Sequence, residues 1–268
     1  MSRTALIGTG VMGETLLAGL LHAGWAPTGI VGADRRESRR HELEGRYGVK
    51  TEEFAADAVA GADTVILVVK PQDVADLLPE IAANLAPGAV VVSLCAGVTT
   101  GQLEDGLPAD TPVVRVMPNT PAQVSEGMAA VSAGAHASAV DLEKAVDIME
   151  AVGKAIVVPE RYQDAVTALS GSGPAYLFFV VEAMIDAGVG LGLPRDISTA
   201  LVNQTMYGSA KLLVESERHP TLLREMVTSP AGTTAAALRH LEERSVKAAF
   251  MAAIEAARDR SEELGRRD

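Results

Sequence analysis

The sequence has little of what several classes of protein require. Its single cysteine, Cys95, excludes an internal disulfide and a cysteine-rich metal site, and it is typical of a reducing compartment. Lys and Arg number 23 against 35 Asp and Glu, and this net charge of −12 argues against nucleic acid or an anionic membrane as a partner. We see no metal-ligand spacing, no secretion leader and no apolar run of about eighteen residues that could span a bilayer. The expectation is a cytoplasmic protein without a bound metal.

Two kinds of pattern divide the 268 residues. Up to about residue 160, short β-branched runs alternate with helical patterns, as in βαβ units. Beyond that point the periodicity is helical, with interruptions at Gly and Pro. The prediction is an α/β protein with a Rossmann-type doubly wound sheet over residues 1–160. An all-helical domain over residues 161–268 follows, and we expect it to bury its apolar surface by dimerisation.

A glycine-rich turn follows the first predicted strand. Gly8, Gly10 and Gly13 have the Gly-x-Gly-x-x-Gly spacing of a dinucleotide site, and a helical pattern begins directly after them. Gly8 would form the tight turn, Gly10 would let a pyrophosphate approach the backbone, and Gly13 would let the helix pack closely on the strand. The phosphates would then lie at the helix N-terminus, where free N–H groups favour negative charge.

The residues after the second predicted strand should recognise the adenosine ribose. Asp34 stands where an acid accepts a hydrogen bond from the ribose 2′-OH and favours NAD, whereas arginines there accommodate the 2′-phosphate of NADP. Arginines follow at positions Arg35, Arg36, Arg39 and Arg40. One interpretation places Arg35 on the phosphate and turns Asp34 to solvent, which predicts NADPH with NADH as an alternative. The other interpretation is an ordinary charged helix start.

Polar turns follow the later predicted strands, at the sheet edge where doubly wound proteins bind ligands. Val69, Lys70 and Pro71 follow one strand, Ala96 the next and Asn119 a third. The amide of Asn119 would lie near a nicotinamide ring, and Lys70 would lie over the cofactor or extend into solvent. Surface turns favour the same residue types, so the spacing alone leaves both interpretations open.

Two loops rich in hydroxyls and glycine precede predicted helices in the second half, at residues 170–175 and 228–234. Such loops could cradle a small anion such as a carboxylate, or they could be plain N-caps. Neither loop contains a histidine or lysine acid. Reduction of a protonated imine needs no such acid, because the cation already accepts hydride, whereas reduction of a ketone does.

Five blocks of sequence together resemble the pyrroline-5-carboxylate reductases over the whole length. They are Ile7–Gly13, Val69–Gln72, Val116–Pro121, Leu169–Ala175 and Leu223–Thr234, and the last resembles the family's signature. The resemblance implies reduction of 1-pyrroline-5-carboxylate to L-proline with NAD(P)H, the last step of proline biosynthesis. It also implies a helical domain that interlocks with a second subunit, and dimers that assemble further, commonly into decamers.

The resemblance also implies roles for particular residues. The loop of Ser229, Gly232, Thr233 and Thr234 would hold the substrate carboxylate, with the Thr234 hydroxyl near the ring nitrogen as hydrogen-bond partner or proton donor. The expected cofactor-binding residues are Gly8, Gly10, Met12, Gly13, Asp34, Arg35, Val69, Lys70, Pro71, Ala96 and Asn119. Many members of the family have Asn or Ser where this sequence has Asp34, so the resemblance does not decide between NADPH and NADH.

Three alternatives remain at this stage. A related imine reductase would use the same hydride chemistry on a cyclic imine that lacks the carboxylate. A β-hydroxyacid dehydrogenase would need a lysine where this sequence has Leu177. A non-catalytic NADP-binding regulator would need cofactor binding and a partner surface, but no second anion cradle.

Overall fold

The computed structural model describes residues 3–265, and its core is an eight-stranded sheet. The strands are β1 (Thr4–Ile7), β2 (Ile30–Ala33), β3 (Lys50–Glu52), β4 (Thr64–Leu67), β5 (Val90–Ser93), β6 (Val113–Met117), β7 (Gly127–Ala133) and β8 (Gly153–Val157). Their order is β3-β2-β1-β4-β5-β6-β7-β8. The pairs from β3 to β6 are parallel, β7 is antiparallel to β6, and β8 is parallel to β7. The predicted doubly wound sheet is confirmed, with a reversed pair of strands added at one edge.

Helices cover both faces of the sheet and continue beyond it. In chain order they are α1 (Val11–His22), α2 (Glu37–Tyr47), α3 (Ala55–Val59), α4 (Pro71–Asn84), α5 (Thr100–Asp105), α6 (Ala139–Glu150), α7 (Gln163–Val166), α8 (Gly173–Gly190), α9 (Arg195–Ser216), α10 (Pro220–Met226), α11 (Thr233–Glu243) and α12 (Val246–Gly265). A π-helical turn, Thr167–Gly171, connects α7 to the region of α8. The short β3, α3, α5 and α10 were not predicted, because helices of five to seven residues are too short to show a helical period and β3, Lys-Thr-Glu, has no apolar run.

The central strands are buried on both faces, which explains their continuous apolar runs. Leu6 of β1 and Ile66 of β4 belong to one core cluster, together with Leu16 of α1. Ile7 and Leu67, the next residues of the same strands, belong to the cluster on the opposite face. Successive side chains of a strand point to opposite faces, so each strand needs apolar residues at every position.

The reversed edge carries a buried polar network instead of a purely apolar core. Arg115 of β6 is only 5% exposed at its side chain and donates from Nη1 to Oε1 of Glu160 over 3.2 Å. Glu160 also accepts from the backbone N–H and the hydroxyl of Thr100, at 2.7 and 2.6 Å. Gln163 donates from Nε2 to the Ser132 hydroxyl at 2.7 Å. These bonds tie the chain that follows β8 to β6, β7 and the start of α5.

The chain divides into two compact units. The sheet unit consists of two segments, the chain up to Ser172 and the chain from Ala257 onward. The helical unit is the segment between them, Gly173–Ala256. The end of α12 is fixed to the sheet unit by the Ser261 hydroxyl, which donates to Asp164 at 2.7 Å. The sequence-based division after residue 160 follows the change from strands to helices, whereas this division follows packing. The functional division at residue 160 therefore stays a prediction.

The helical unit exposes much apolar surface in the single chain. Leu177, Phe178 and Phe179 of α8 are between 54% and 71% exposed, and Leu201 of α9 is 55% exposed. By length and composition alone, the helical stretch Glu160–Gly190 is long and apolar enough to cross a membrane. This finding corrects the expectation of no such run, and the core helix of a soluble protein passes the same test.

Candidate active site

The glycine-rich turn has the geometry that its spacing predicts. Gly8 follows β1 with a φ of +92°, a left-handed conformation that only glycine adopts without strain. A Cβ at Gly8 would lie 2.5 Å from the carbonyl oxygen of Val68, and a Cβ at Gly13 would collide with the carbonyl of Gly8. A Cβ at Gly10 would meet no atom within 4 Å. Gly8 and Gly13 are thus required by the chain's own packing, whereas Gly10 faces open space.

Helix α1 begins directly after this turn with free donors. Gly10 is its N-cap and supplies no side-chain hydrogen bond to the first turn. Met12, in the first turn, packs its side chain against the core, so that its contribution to a ligand site is its backbone N–H. An uncapped helix N-terminus beside an open glycine suits an anion such as a pyrophosphate.

A pocket of about 530 Å³ extends from this turn between the carboxyl ends of β1, β2 and β4. The expected cofactor residues that line it are Gly8, Gly10, Asp34, Arg35, Val69 and Lys70. Phe54, Asp73 and Leu77 line it as well and were not predicted. Phe54 lies in the short connection between β3 and α3, and no periodic signal marked that segment. The volume, the open glycine and the helix N-terminus together fit the adenosine and phosphate part of a dinucleotide.

The Asp34 carboxylate is turned inward, which corrects the expectation that it faces solvent. Its side chain is only 9% exposed, and it accepts hydrogen bonds from the Thr9 hydroxyl at 2.8 Å and from Arg36. Burial raises the pKa of this carboxyl, but the bonds from Arg36 and Thr9 outweigh it, and the pKa falls from 3.8 to about 2. Asp34 is therefore ionised and already paired at neutral pH.

Of the four arginines that follow Asp34, three have side-chain partners among the described residues and one does not. Arg36 pairs with Asp34, and Arg39 bonds Glu14 together with the backbone of the glycine-rich turn. Arg40 donates to the backbone carbonyls at positions 34 and 35. Arg35 is exposed, lines the pocket, and its guanidinium has no hydrogen-bond or ion-pair partner within residues 3–265. The interpretation as an ordinary helix start fits the other three arginines, and Arg35 is the one of the four whose guanidinium is left for a ligand of the pocket.

The residues after β4 and β5 border a second cavity of about 630 Å³ in the sheet unit. Pro71, the first residue of α4, and the exposed Ala96 both line it. Lys70 is the N-cap residue of α4, and it is exposed on the side of the first pocket. Two neighbouring residues of one turn thus border different cavities: Lys70 borders the first and Pro71 the second. The structure therefore brings these three predicted residues to the same edge of the sheet.

The side-chain amide of Asn119, which follows β6, makes hydrogen bonds within the protein. Its Oδ1 accepts from the backbone N–H of Met128 at 2.8 Å, and its Nδ2 donates to the carbonyl and the hydroxyl of Ser170, each at 3.3 Å. It lines neither of the two cavities described above. The amide thus connects the end of β6 to the serine-rich turn, and any contact with a nicotinamide stays a prediction.

The loop at 228–234 opens helix α11. Ala231 has a φ of +58°, and a Cβ at Gly232 would collide with the hydroxyl of Ser229. Gly232 is the N-cap and gives no side-chain bond, so the first-turn N–H groups of Thr233 and Thr234 lack a side-chain cap. Within the part of the chain that the structure describes, the hydroxyls of Ser229, Thr233 and Thr234 make no hydrogen bond. The loop offers several donors at one helix N-terminus, which suits a carboxylate.

Comparisons with known proteins cover both units. A family model described as "Pyrroline-5-carboxylate reductase dimerisation" matches residues 160–264, and one described as "NADP oxidoreductase coenzyme F420-dependent" matches residues 3–97. A pyrroline-5-carboxylate reductase of Corynebacterium melassecola is 45% identical over 99% of this chain and 100% of its own. A solved pyrroline-5-carboxylate reductase from Coxiella burnetii matches with a TM-score of 0.94 and 35% identity over 99% of each chain. The pyrroline carboxylate reductase of Plasmodium falciparum, solved with NADP bound, has a TM-score of 0.88 and 30% identity over 98% of each chain.

Proposed function

The chain belongs to the pyrroline-5-carboxylate reductase family, and we propose on that basis that it reduces 1-pyrroline-5-carboxylate to L-proline with NADPH. The observation that carries the proposal is the full-length likeness to proteins of that name, which covers the dinucleotide unit and the helical unit alike. The two uncapped helix N-termini, at α1 and α11, support it, because one suits a pyrophosphate and the other a carboxylate.

The sheet unit would hold the cofactor, which supplies a hydride when bound. The N–H groups at the start of α1, at Met12 and Gly13, would bind the pyrophosphate, with Gly10 leaving room for it. Arg35 would bind the 2′-phosphate, because it is the exposed guanidinium on the pocket that has no partner among the described residues. Together with Val69 and Lys70 on the pocket wall, this arrangement favours NADPH over NADH.

The helical unit would hold the substrate. The N–H groups of Thr233 and Thr234 and the hydroxyl of Ser229 would bind the carboxylate, and Gly232 keeps that loop free of a side chain. The Thr234 hydroxyl would act as hydrogen-bond partner of the ring nitrogen. Because the imine arrives protonated, the residues need to orient a cation and its carboxylate, and no strong acid is required.

We also propose a homodimer formed through the helices of residues 173–256, with further assembly into a decamer, in the cytoplasm. The family model that matches this region is a dimerisation domain, and exposed side chains such as Phe178 and Phe179 would be covered by a second copy. The same burial would account for the apolar stretch that meets the length criterion for a membrane helix, and we propose no membrane or nucleic acid as a partner.

The test is oxidation of NADPH, and separately of NADH, by purified protein with racemic pyrroline-5-carboxylate, followed by the loss of reduced-nicotinamide absorbance. Proline as product with a higher kcat/KM for NADPH supports the proposal. Oxidation only with cyclic imines that lack the carboxylate would favour a related imine reductase. Oxidation only with ketone or aldehyde acids, which accept hydride and become β-hydroxyacids, would favour the β-hydroxyacid dehydrogenases. Tight NADPH binding without any turnover would favour a regulator.

Two variants assign the proposed roles. Thr234→Ala should lower kcat with little change in NADPH binding, and Thr234→Ser, which keeps a hydroxyl, is its matched control. Arg35→Ala should weaken NADPH more than NADH by roughly 2 kcal/mol, the range of a charge-assisted bond. Wild-type turnover by Thr234→Ala, or equal loss of both cofactors in Arg35→Ala, would contradict the respective assignment.

A further inference from the structure

Thr9, the residue between the first two glycines of the turn, is fully buried, although its side chain is polar. Its hydroxyl donates to Oδ2 of Asp34 over 2.8 Å. Its carbonyl oxygen accepts from Nε of Arg39 at 2.9 Å. The residue thus joins the phosphate turn to the segment that recognises the ribose. A hydroxyl in this position is not required by the Gly-x-Gly-x-x-Gly spacing, which leaves the residue between the glycines open.

The Asp34 carboxylate has no acceptor capacity left. Its Oδ1 accepts from the backbone N–H and from Nε of Arg36, each at 3.0 Å. Its Oδ2 accepts from Nη2 of Arg36 at 2.9 Å and from Thr9. A carboxylate offers about four lone-pair sites, and these four bonds fill them. The acid at this position usually accepts from the ribose 2′-OH of NAD, but here it has no site for that bond.

We propose that Thr9 is a specificity-determining residue: with Arg36 it keeps the Asp34 carboxylate occupied, so that the acid does not accept from the ribose 2′-OH of NADH. Asp34 then makes no stabilising hydrogen bond to the 2′-OH of NADH, and it presents no unpaired charge to the 2′-phosphate of NADPH. Thr9 is a positioning residue, since it acts through Asp34. The inference rests on the proposed function only in taking a nicotinamide dinucleotide as the ligand.

The experiment compares Thr9→Val with Thr9→Ser. Valine has the shape of threonine without the hydroxyl, and serine keeps the hydroxyl without the methyl group. Thr9→Ala is made in parallel, so that a packing failure of the valine variant does not decide the outcome. Calorimetric titration gives the Kd of NADPH and of NADH for each folded variant, and kcat/KM with both cofactors gives a second ratio.

Loss of the hydroxyl leaves one acceptor site unfilled on the carboxylate of Asp34, a residue that lines the pocket. We expect Thr9→Val and Thr9→Ala to shift the NADPH-to-NADH preference toward NADH by about three- to tenfold, the effect of one hydrogen bond. Thr9→Ser should keep the wild-type ratio. In an Asp34→Ala background, Thr9→Val should leave the ratio unchanged, because the acceptor through which it acts is gone.

Equal weakening of both cofactors by Thr9→Val would show a merely structural role and overturn the inference. An unchanged ratio, or the same shift in the Asp34→Ala background, would overturn it as well. The binding ratio requires no imine substrate. A wild-type protein that binds both dinucleotides without reducing pyrroline-5-carboxylate would therefore refute the proposed function and still test the role of Thr9.

Discussion

Two glycines of one turn should respond in opposite ways to the same substitution. Alanine at Gly8 would have to adopt a φ of +92°, and its Cβ would lie 2.5 Å from the carbonyl oxygen of Val68. Alanine at Gly10 would have a φ of −65° and would meet no atom within 4 Å. Gly8→Ala is therefore a change to the fold, whereas Gly10→Ala is a change to the ligand site.

The magnitudes follow from these geometries. Left-handed backbone at alanine costs about 1–2 kcal/mol, and overlap with a fixed carbonyl adds about 1–3 kcal/mol, so Gly8→Ala should destabilise the protein by roughly 2–5 kcal/mol. For a chain of this size, that corresponds to a fall in Tm of roughly 5–15 °C. Gly10→Ala should stabilise the free protein slightly, by up to about 1 kcal/mol, because alanine restricts the unfolded chain.

Gly10→Ala should weaken the binding of the cofactor, although it does not destabilise the protein. Its methyl group would occupy the space where a pyrophosphate approaches the start of α1, and it would lengthen one or two bonds to the helix N–H groups. Each such bond to a charged group contributes about 1.5–3 kcal/mol, so the Kd of NADPH should rise by about tenfold to more than a hundredfold.

The assay is thermal unfolding at fixed protein concentration, without and with NADPH, and calorimetric titration of the folded variants. Wild-type protein and Gly45→Ala are the controls; Gly45 lies on α2, and a Cβ there also meets no atom within 4 Å. An unchanged Kd in Gly10→Ala would refute the placement of the pyrophosphate at this turn. An unchanged Tm in Gly8→Ala would refute the strain that the backbone geometry indicates.

Three further outcomes can be measured by urea unfolding. Wild type should have a higher unfolding free energy than Asp34→Asn, and this difference should be largest above pH 3.8 and fall as the pH approaches about 2, because folding lowers the pKa of the Asp34 carboxyl. A pH-independent difference would contradict the pairing. Glu160→Gln should lower the unfolding free energy by about 2 kcal/mol, since buried Arg115 loses its counter-charge, and an unchanged urea midpoint would argue against that pair. Asn119→Ala should lower it by about 1–3 kcal/mol by leaving the Met128 N–H without its acceptor; unchanged stability with weaker cofactor binding would assign the amide to the ligand instead.

The local elements were readable from the sequence to within a few residues where they were long and periodic. The charged stretch at 37–47 forms α2, the β-branched run at 113–117 forms β6, and Pro174 lies in the first turn of α8, where proline is favoured. The reversed direction of β7 was not readable, because alternation of buried residues is the same in either direction. Neither was the second role of Asn119, since its partner Ser170 is 51 residues away in sequence.

The sequence by itself determined the dinucleotide fold, the glycine turn and the family. They depend on the spacing of residues close in sequence and on the order of the sequence blocks, and both can be read from the sequence directly. Only the tertiary structure decided that Asp34 is paired and that Arg35, of the four arginines that follow it, is the one whose guanidinium has no partner among the described residues. The physical reason is that a hydrogen-bond acceptor is available only when its own neighbours leave lone pairs free. Thr9 is brought to the Asp34 carboxylate by the pairing of β1 with β2, and Arg36 reaches it from the turn that follows β2.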